Sequence, residues 1–467
     1  MRATEEDIEA FVAEQWPAFL ADVERLISID SSLDAEHAAP GAPFGPGPRA
    51  ALDEALAIAQ RMGLEPHDGD GYAGFADLPG ESGQQIGVIG HVDVVPAGEG
   101  WDFNPFGLTR KDGVLIGRGT SDDKAPLLTA LYGLKFWLDR GANLRHGVRF
   151  IFGCNEESGM GDVPYYLEHN DAPDFLFTPD AEFPLCYGEK GQFGATITSG
   201  TIEGAIASFA AGTAPNAVPG IARAVVRVEA ESLPKADRIE VSPCEEGALV
   251  SATGIAGHAS LPEGTLNAIG ILCRYLLSAG VCSGEENAWL QFAASMAECT
   301  DGKIANVACS DADFGNLTSV VGMMNKVNGA FVMTEDIRFP AAITGSELST
   351  AFEALSHAQG ALLAVTACKD PFVVNPDTAP VRALMDAYCS TTGKQVRPFT
   401  MGGGTYAREF PNAVSFGPAE EGAYPVPSWV GGMHAANEGI AEEELKRAMR
   451  IYIRAFGNLA EVEDLHK

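Results

Sequence analysis

Five short segments carry side chains of the kinds that hold divalent ions: His91-Val92-Asp93, Asp122-Asp123-Lys124, Asn155-Glu156-Glu157, Asp180-Ala181-Glu182 and His434-Ala435-Ala436-Asn437-Glu438. Imidazoles mixed with carboxylates suit a pair of metal ions acting on water, because one carboxylate can bridge two ions through its two oxygens. Asp122 is the candidate bridge. His91 offers a neutral imidazole, and the carboxylate of Asp93, two residues on, can fix its tautomer and raise its basicity. In Glu156-Glu157 one carboxylate can ligate an ion while the other stays available as a general base. A His-x-Asp or a Glu pair alone is a weak signal, since adjacent acids usually mark a solvated helix face. Here the two acids follow the apolar run 148–153, and solvated acids are poor strand material.

The surrounding patterns supply elements to position these groups. Ile86-Gly87-Val88-Ile89-Gly90 reads as a buried strand ending on His91, 148–153 as a strand running into Asn155, and Phe175-Leu176-Phe177 as one running into Asp180. Between them, about 124–140 carries Leu127, Leu128, Ala130, Leu131, Leu134 and Trp137 at helical spacing. Alternating strands and helices predict an α/β fold with a mainly parallel sheet, whose ligands sit beyond the carboxyl ends of the strands. The metal-type residues fall at those ends. A Gly- and Pro-rich loop over 39–48 precedes a helical pattern at about 50–62, and another helix is expected over 381–392. From Gly191 the texture changes to Thr, Val and Ala runs without a further metal-type cluster, and the first style resumes near Asn375. The predicted organisation is therefore a catalytic domain in two parts, 1–190 and 376–467, with an inserted domain at 191–375.

Composition narrows the function classes. The 467 residues exceed one ordinary core, so two or three domains are expected. With 64 acidic against 31 basic residues, a net charge of -33 argues against binding nucleic acid or anionic membranes. Nine cysteines without a CxxC pair fit reduced thiols. The acidic start, Thr4-Glu5-Glu6-Asp7, leads into an amphipathic pattern through Ile8, Phe11, Val12 and Trp16, unlike a secretory signal. No apolar run reaches membrane-spanning length. The cytoplasm is the expected location.

Taken as a set, these motifs resemble the co-catalytic zinc exopeptidases and amidases that include carnosinases, aminoacylases and succinyl-diaminopimelate desuccinylases, and above all the PepV-type bacterial dipeptidases. The resemblance runs from Pro43-Phe44-Gly45 to His434. It implies a phosphorylase/hydrolase-like mixed, mainly parallel sheet flanked by helices, with an inserted α+β lid domain. By the same resemblance His91, Asp122 and Asp180 hold one ion, and Asp122, Glu157 and His434 the other. Glu156 takes the place of the general base and Asp93 that of the residue orienting His91, with a cis Asp122-Asp123 peptide bond. Ala125 stands where the family usually has glycine. In the inserted domain Asn216, within Ala214-Pro215-Asn216-Ala217-Val218-Pro219, and His258, within Gly257-His258-Ala259-Ser260, resemble lid residues that reach the reacting carbonyl. Arg338 resembles the arginine that binds a substrate carboxylate, and Gly404 and Thr405 belong to a segment like the family's substrate-facing Gly-rich loop.

The expected activity is a dipeptidase using two divalent ions, zinc foremost, with manganese or cobalt also suited. The choice rests on the long stretch from Gly191 to Asn375, which resembles the extended lid of single-chain dipeptidases and so predicts a monomer. An N-acyl amino acid amidohydrolase, desuccinylase or carboxypeptidase is the alternative enzyme. A metal-dependent peptide-binding module without turnover is a second alternative, opposed by Glu156, since a pure binding site has no use for a free base.

Overall fold

In the computed structural model, which describes residues 3–420 and 422–467, the apolar runs that end in metal-type residues form the strands Gln85–His91, Gly147–Gly153 and Phe175–Thr178. With Ala413–Ser415 they make a parallel group in the order Gly147–Gly153, Gln85–His91, Phe175–Thr178, Ala413–Ser415. Their burial on both faces explains the continuous apolar sequence. Because the strands are parallel, His91, the segment after Gly153 and the segment after Thr178 all emerge at one end. The sheet is mixed beyond this centre. Glu65–Gly69 and Ala73–Leu78 form a hairpin that continues it antiparallel, as so short a connection requires.

Helices cover this sheet. Glu5–Ile27 opens on a capping box between Thr4 and Asp7 and buries Ile8, Phe11, Phe19, Val23 and Leu26. Lys124–Leu138 is buried nearly all round, and the C-terminal Glu442–Leu459 packs closely on it. Gly133 permits that approach, since a Cβ there would lie 2.5 Å from the Cβ of Tyr452. The helix expected from about residue 50 begins earlier, at Pro46, because proline suits the first helical turn, where its missing N–H is no loss. Ala379–Thr392 stops at Gly393, which adopts φ 71°. These elements belong to a unit made of the chain up to Tyr187 with Val373–Phe399 and Gly404–Lys467. Among the described residues, no helix is long and apolar enough to cross a membrane.

The other unit comprises Gly188–Phe372 with Thr400–Gly403. Its eight-stranded sheet is antiparallel, and Ala268–Ser278, Gly284–Glu298 and Gly345–Ala358 are its helices. Ile269, Leu276, Leu290 and Phe352 from the helices share one core with Phe193, Ile197, Met333 and Ile337 from the strands.

One ionisable residue interrupts the alternating apolar file of Ala330–Phe339. Glu335 lies buried between Met333 and Ile337, accepts a hydrogen bond from the Ser319 hydroxyl at Oε1, and among the described residues has no hydrogen-bond partner at Oε2. Burial pushes its carboxyl up to about 8, from an ordinary 4.5. The folded protein thus holds a proton between those values that the unfolded chain releases, so this residue's contribution to stability is full below about 4.5 and is lost as pH rises toward 8. Glu335→Gln should therefore gain stability relative to the parent as pH goes from 5 to 8 in urea unfolding, by at most about 1.4 kcal/mol per pH unit. A difference that stays flat across that range contradicts the assignment.

Candidate metal centre

Asp122 lies between two imidazoles. Its Oδ1 is 2.8 Å from Nε2 of His91, and its Oδ2 is 2.9 Å from Nε2 of His434. Each oxygen of one carboxylate thus faces a different histidine. Two further acids flank the pair: Asp180 Oδ2 lies 3.8 Å from His91 Nε2, and Glu157 Oε2 lies 3.0 Å from His434 Nε2. Possible ligand atoms of His91, Asp122 and Glu157 fall within 4.8 Å of one another, as do those of His91, Glu156 and Asp180. His91 is fully buried, whereas His434 is half exposed at the open edge.

The backbone that follows Gly153 is held by two buried carboxylates. Asp93 accepts the amides of Glu156 and Glu157, one on each oxygen, both at 3.2 Å. Its carbonyl oxygen lies 3.0 Å from Nδ1 of His91, closer than its carboxylate at 3.4 Å. Asp93 therefore reaches His91 largely through its main chain and turns its side chain to the Glu156-Glu157 turn. Asp162 accepts the amides of Cys154 and Asn155 at 2.7 and 3.1 Å and the hydroxyl of Tyr406.

The Asp122–Asp123 peptide bond is cis, as the resemblance implies. Asp123 accepts the amide of His91 at 3.2 Å through Oδ2, while its buried Oδ1 has no hydrogen-bond partner among the described residues. Gly90 leaves the room for this, because a Cβ there would lie 2.2 Å from that Oδ2. Lys124 is buried and donates to the carbonyls of Leu26 and Ile29, both at 2.9 Å, tying the turn to the end of the first helix. Ala125 fits the turn: its side chain is buried and its amide donates to Gly119 O at 3.1 Å.

Electrostatics follow from packing so many acids together. Burial opposes charge on His91, yet hydrogen bonding to Asp122 and Asp93 carries its imidazole well above the ordinary range. Hydrogen bonds to Asp122 and Glu157 raise His434 to about 10. Burial, then repulsion from Asp180, pushes the carboxyls of both Glu156 and Asp123 well up. Imidazoles and carboxylates without a thiol form a donor set that fits zinc, manganese or cobalt. Ligand atoms of His91, Asp122 and Glu157, and of His91, Glu156 and Asp180, lie close enough to one another to share an ion in each group.

The other residues singled out from sequence fall in two places. Thr405 caps the short helix Tyr406–Glu409, accepting the amide of Ala407 at 3.1 Å, and its hydroxyl lies 3.1 Å from that of Ser415. Gly404 immediately precedes it. Asn216, His258 and Arg338 lie in the other unit. A short antiparallel pairing sets Ala217 against His258, and the carbonyl of Asn216 accepts the amide of Ala259 at 2.9 Å. Burial, then the nearby charge of Arg338, lowers the His258 imidazole. Arg338 grips Asp336 with two nitrogens at 2.8 and 3.1 Å and donates a third to Gly402 O at 3.1 Å. Sequence reasoning gave no role to Arg118, Asp123, Asp162, Tyr406 or Glu438. Asp123 and Glu438 lie inside motif segments, Asp162 and Tyr406 closely follow motif residues, and Arg118 lies four residues before Asp122.

The chain matches the model of Peptidase family M20/M25/M40 over residues 87–458, and it belongs to that family. It is 33% identical over 471 residues to a Beta-Ala-Xaa dipeptidase of Lactobacillus delbrueckii subsp. lactis, covering 96% of this chain and 97% of the relative. A putative dipeptidase, YtjP, of Bacillus subtilis (strain 168) is 30% identical over 458 residues, covering 94% and 97% of the two chains. Human carnosine dipeptidase 1 shares the fold, with a TM-score of 0.61 at 15% identity over 99% of this chain and all of the other. The protein is a peptidase with the family's mixed α/β architecture.

Proposed function

We propose that the chain is a metal-dependent dipeptidase that hydrolyses unblocked dipeptides. The observation carrying this reading is the placement of Asp122, one oxygen toward His91 and the other toward His434, with Glu156 and Glu157 beside them. His91, Asp122 and Asp180 would hold one divalent ion, and Asp122, Glu157 and His434 the other. Bound there, such a pair would polarise the peptide carbonyl and make water acidic enough to be deprotonated near neutral pH. The Glu156 carboxylate accepts the proton of that water and delivers it to the departing amine nitrogen. Asp93 holds the amides of Glu156 and Glu157 and so fixes the turn that presents both side chains.

The residues of the other unit are assigned to substrate. His258 would donate to the oxyanion that forms at the carbonyl, with Asn216 beside it. Arg338, its plane set by Asp336, would meet the free carboxylate of the dipeptide. Gly404 and Thr405 would line the approach. Dipeptide specificity is supported by the names of the relatives, and a lid supplied by the same chain supports a monomer.

Two measurements test the reading. Glu156→Gln should retain two ions per chain by elemental analysis while kcat falls on the order of 10² to 10⁴-fold. Loss of an ion in that variant makes Glu156 a ligand and overturns the assignment, as His91, Glu156 and Asp180 are also close enough to form a ligand group. In a substrate panel, unblocked dipeptides should be cleaved, and amidating their C-terminus should cost about 1.5 to 3 kcal/mol in kcat/KM, the scale of a hydrogen bond to a charged group. Preference for N-acyl amino acids would make the chain an amidohydrolase instead.

A further inference from the structure

Glu438 lies four residues beyond His434 and is fully buried, as is Arg118, with which it forms an ion pair at 2.5 Å. The strand Gly439–Ala441 pairs antiparallel with Val114–Ile116, which lays Glu438 against the loop leading to Asp122, and Gly117 N donates to Glu438 O at 3.0 Å. One oxygen of the Glu438 carboxylate, Oε1, collects three amides of that loop: Gly119 at 3.0 Å, Ser121 at 2.9 Å and Asp122 itself at 3.3 Å. The other oxygen takes Nη1 of Arg118. Nη2 of Arg118 reaches the carbonyls of Pro96 at 3.4 Å, Ala97 at 3.3 Å and His434 at 3.3 Å.

We infer that the buried Arg118–Glu438 pair is a positioning device that sets the spacing between Asp122 and His434, and so the affinity of the ion on the His434 side of the centre. The inference rests on the two-ion reading above. His91 needs no such device, because it ends a buried strand that is hydrogen-bonded on both sides. His434 sits in a loop and adopts φ 64°, a left-handed conformation uncommon for a non-glycine residue. Arg118 supplies a hold on its carbonyl oxygen, and Glu438 holds the amide of its partner Asp122. Both backbones are thereby referred to one ion pair out of reach of water. Asn437 steadies the same loop from its other side, exchanging two hydrogen bonds with Asp102.

The test is a titration of metal-free protein with zinc alone against a competing chelator, in the parent, Glu438→Gln, His434→Ala and the double variant. Glutamine keeps one acceptor for the loop amides but turns a donor or a weaker acceptor toward Arg118. In Glu438→Gln one of the two ions should bind about 10- to 100-fold more weakly while the other is unchanged, the range typical when a group supporting a ligand is lost. That ion should be the one missing from His434→Ala, so adding Glu438→Gln to His434→Ala should leave the remaining ion's affinity unaltered. Equal weakening of both ions, or no weakening in a folded variant, overturns the inference. Should Glu438→Gln fail to fold, Arg118→Lys answers the question: its ammonium can pair with Glu438 but cannot span the three carbonyls, and the same one-ion loss is expected, with two parent-like affinities overturning the inference. A parent that binds fewer than two ions would instead overturn the two-ion reading, so the two failures are distinguishable.

Discussion

Negative charge brought together out of water is the constraint around which the first unit is organised. The carboxylates of Asp93, Asp122, Asp123, Glu156, Glu157 and Asp180 gather where the parallel strands end, with the imidazoles of His91 and His434 among them. Left to themselves, such groups repel and take up protons, as the upward shifts of Glu156 and Asp123 record. A site of this kind persists only if the chain forces the acids together and something positive compensates them. On the proposed reading, two divalent cations supply that compensation, and the repulsion becomes affinity.

The forcing is done by rigid elements and by carboxylates whose hydrogen bonds go to backbone amides. Parallel strands fix the Cα positions of His91 and of the segments carrying Glu156, Glu157 and Asp180. Asp93 fastens the Glu156-Glu157 turn, Asp162 fastens the two residues before it, and Glu438 fastens the loop into Asp122. Each uses an acceptor of two oxygens to satisfy several buried amides, which would otherwise each cost about 1 to 3 kcal/mol. Acids thus serve in two capacities here: some face the centre, and others hold the turns that present them. Asp93 is the residue where these capacities meet, since its carbonyl faces His91 and its side chain faces the turn.

Much of this was legible in the sequence, and the reason is local. His91 and Asp180 each follow an apolar run, and Glu156-Glu157 begins three residues past another, so residue type and strand end were readable together. The parallel centre of the sheet followed from strand and helix alternation, while one of its antiparallel sides came from a hairpin the pattern did not single out. What was not legible depends on long-range approach. Arg118 and Glu438 are 320 residues apart, and Tyr406 is 244 residues from Asp162, so neither pairing leaves a mark in the local pattern. The start of the second helix was read late because its Gly- and Pro-rich flank looks like loop until the first-turn preference of proline is applied. Arg338 shows a different limit: its family likeness suggests a substrate carboxylate, and only the fold reveals that Asp336, two residues away, already fixes the guanidinium.

The central claim is that Asp122 joins two metal sites, and anomalous diffraction from crystals soaked in zinc tests it most directly. The account predicts two peaks about 3.5 to 4 Å apart, with one oxygen of Asp122 on each, His91 and Asp180 completing one site and Glu157 and His434 the other. A single peak, or two peaks with Asp122 bound to only one of them, would contradict it.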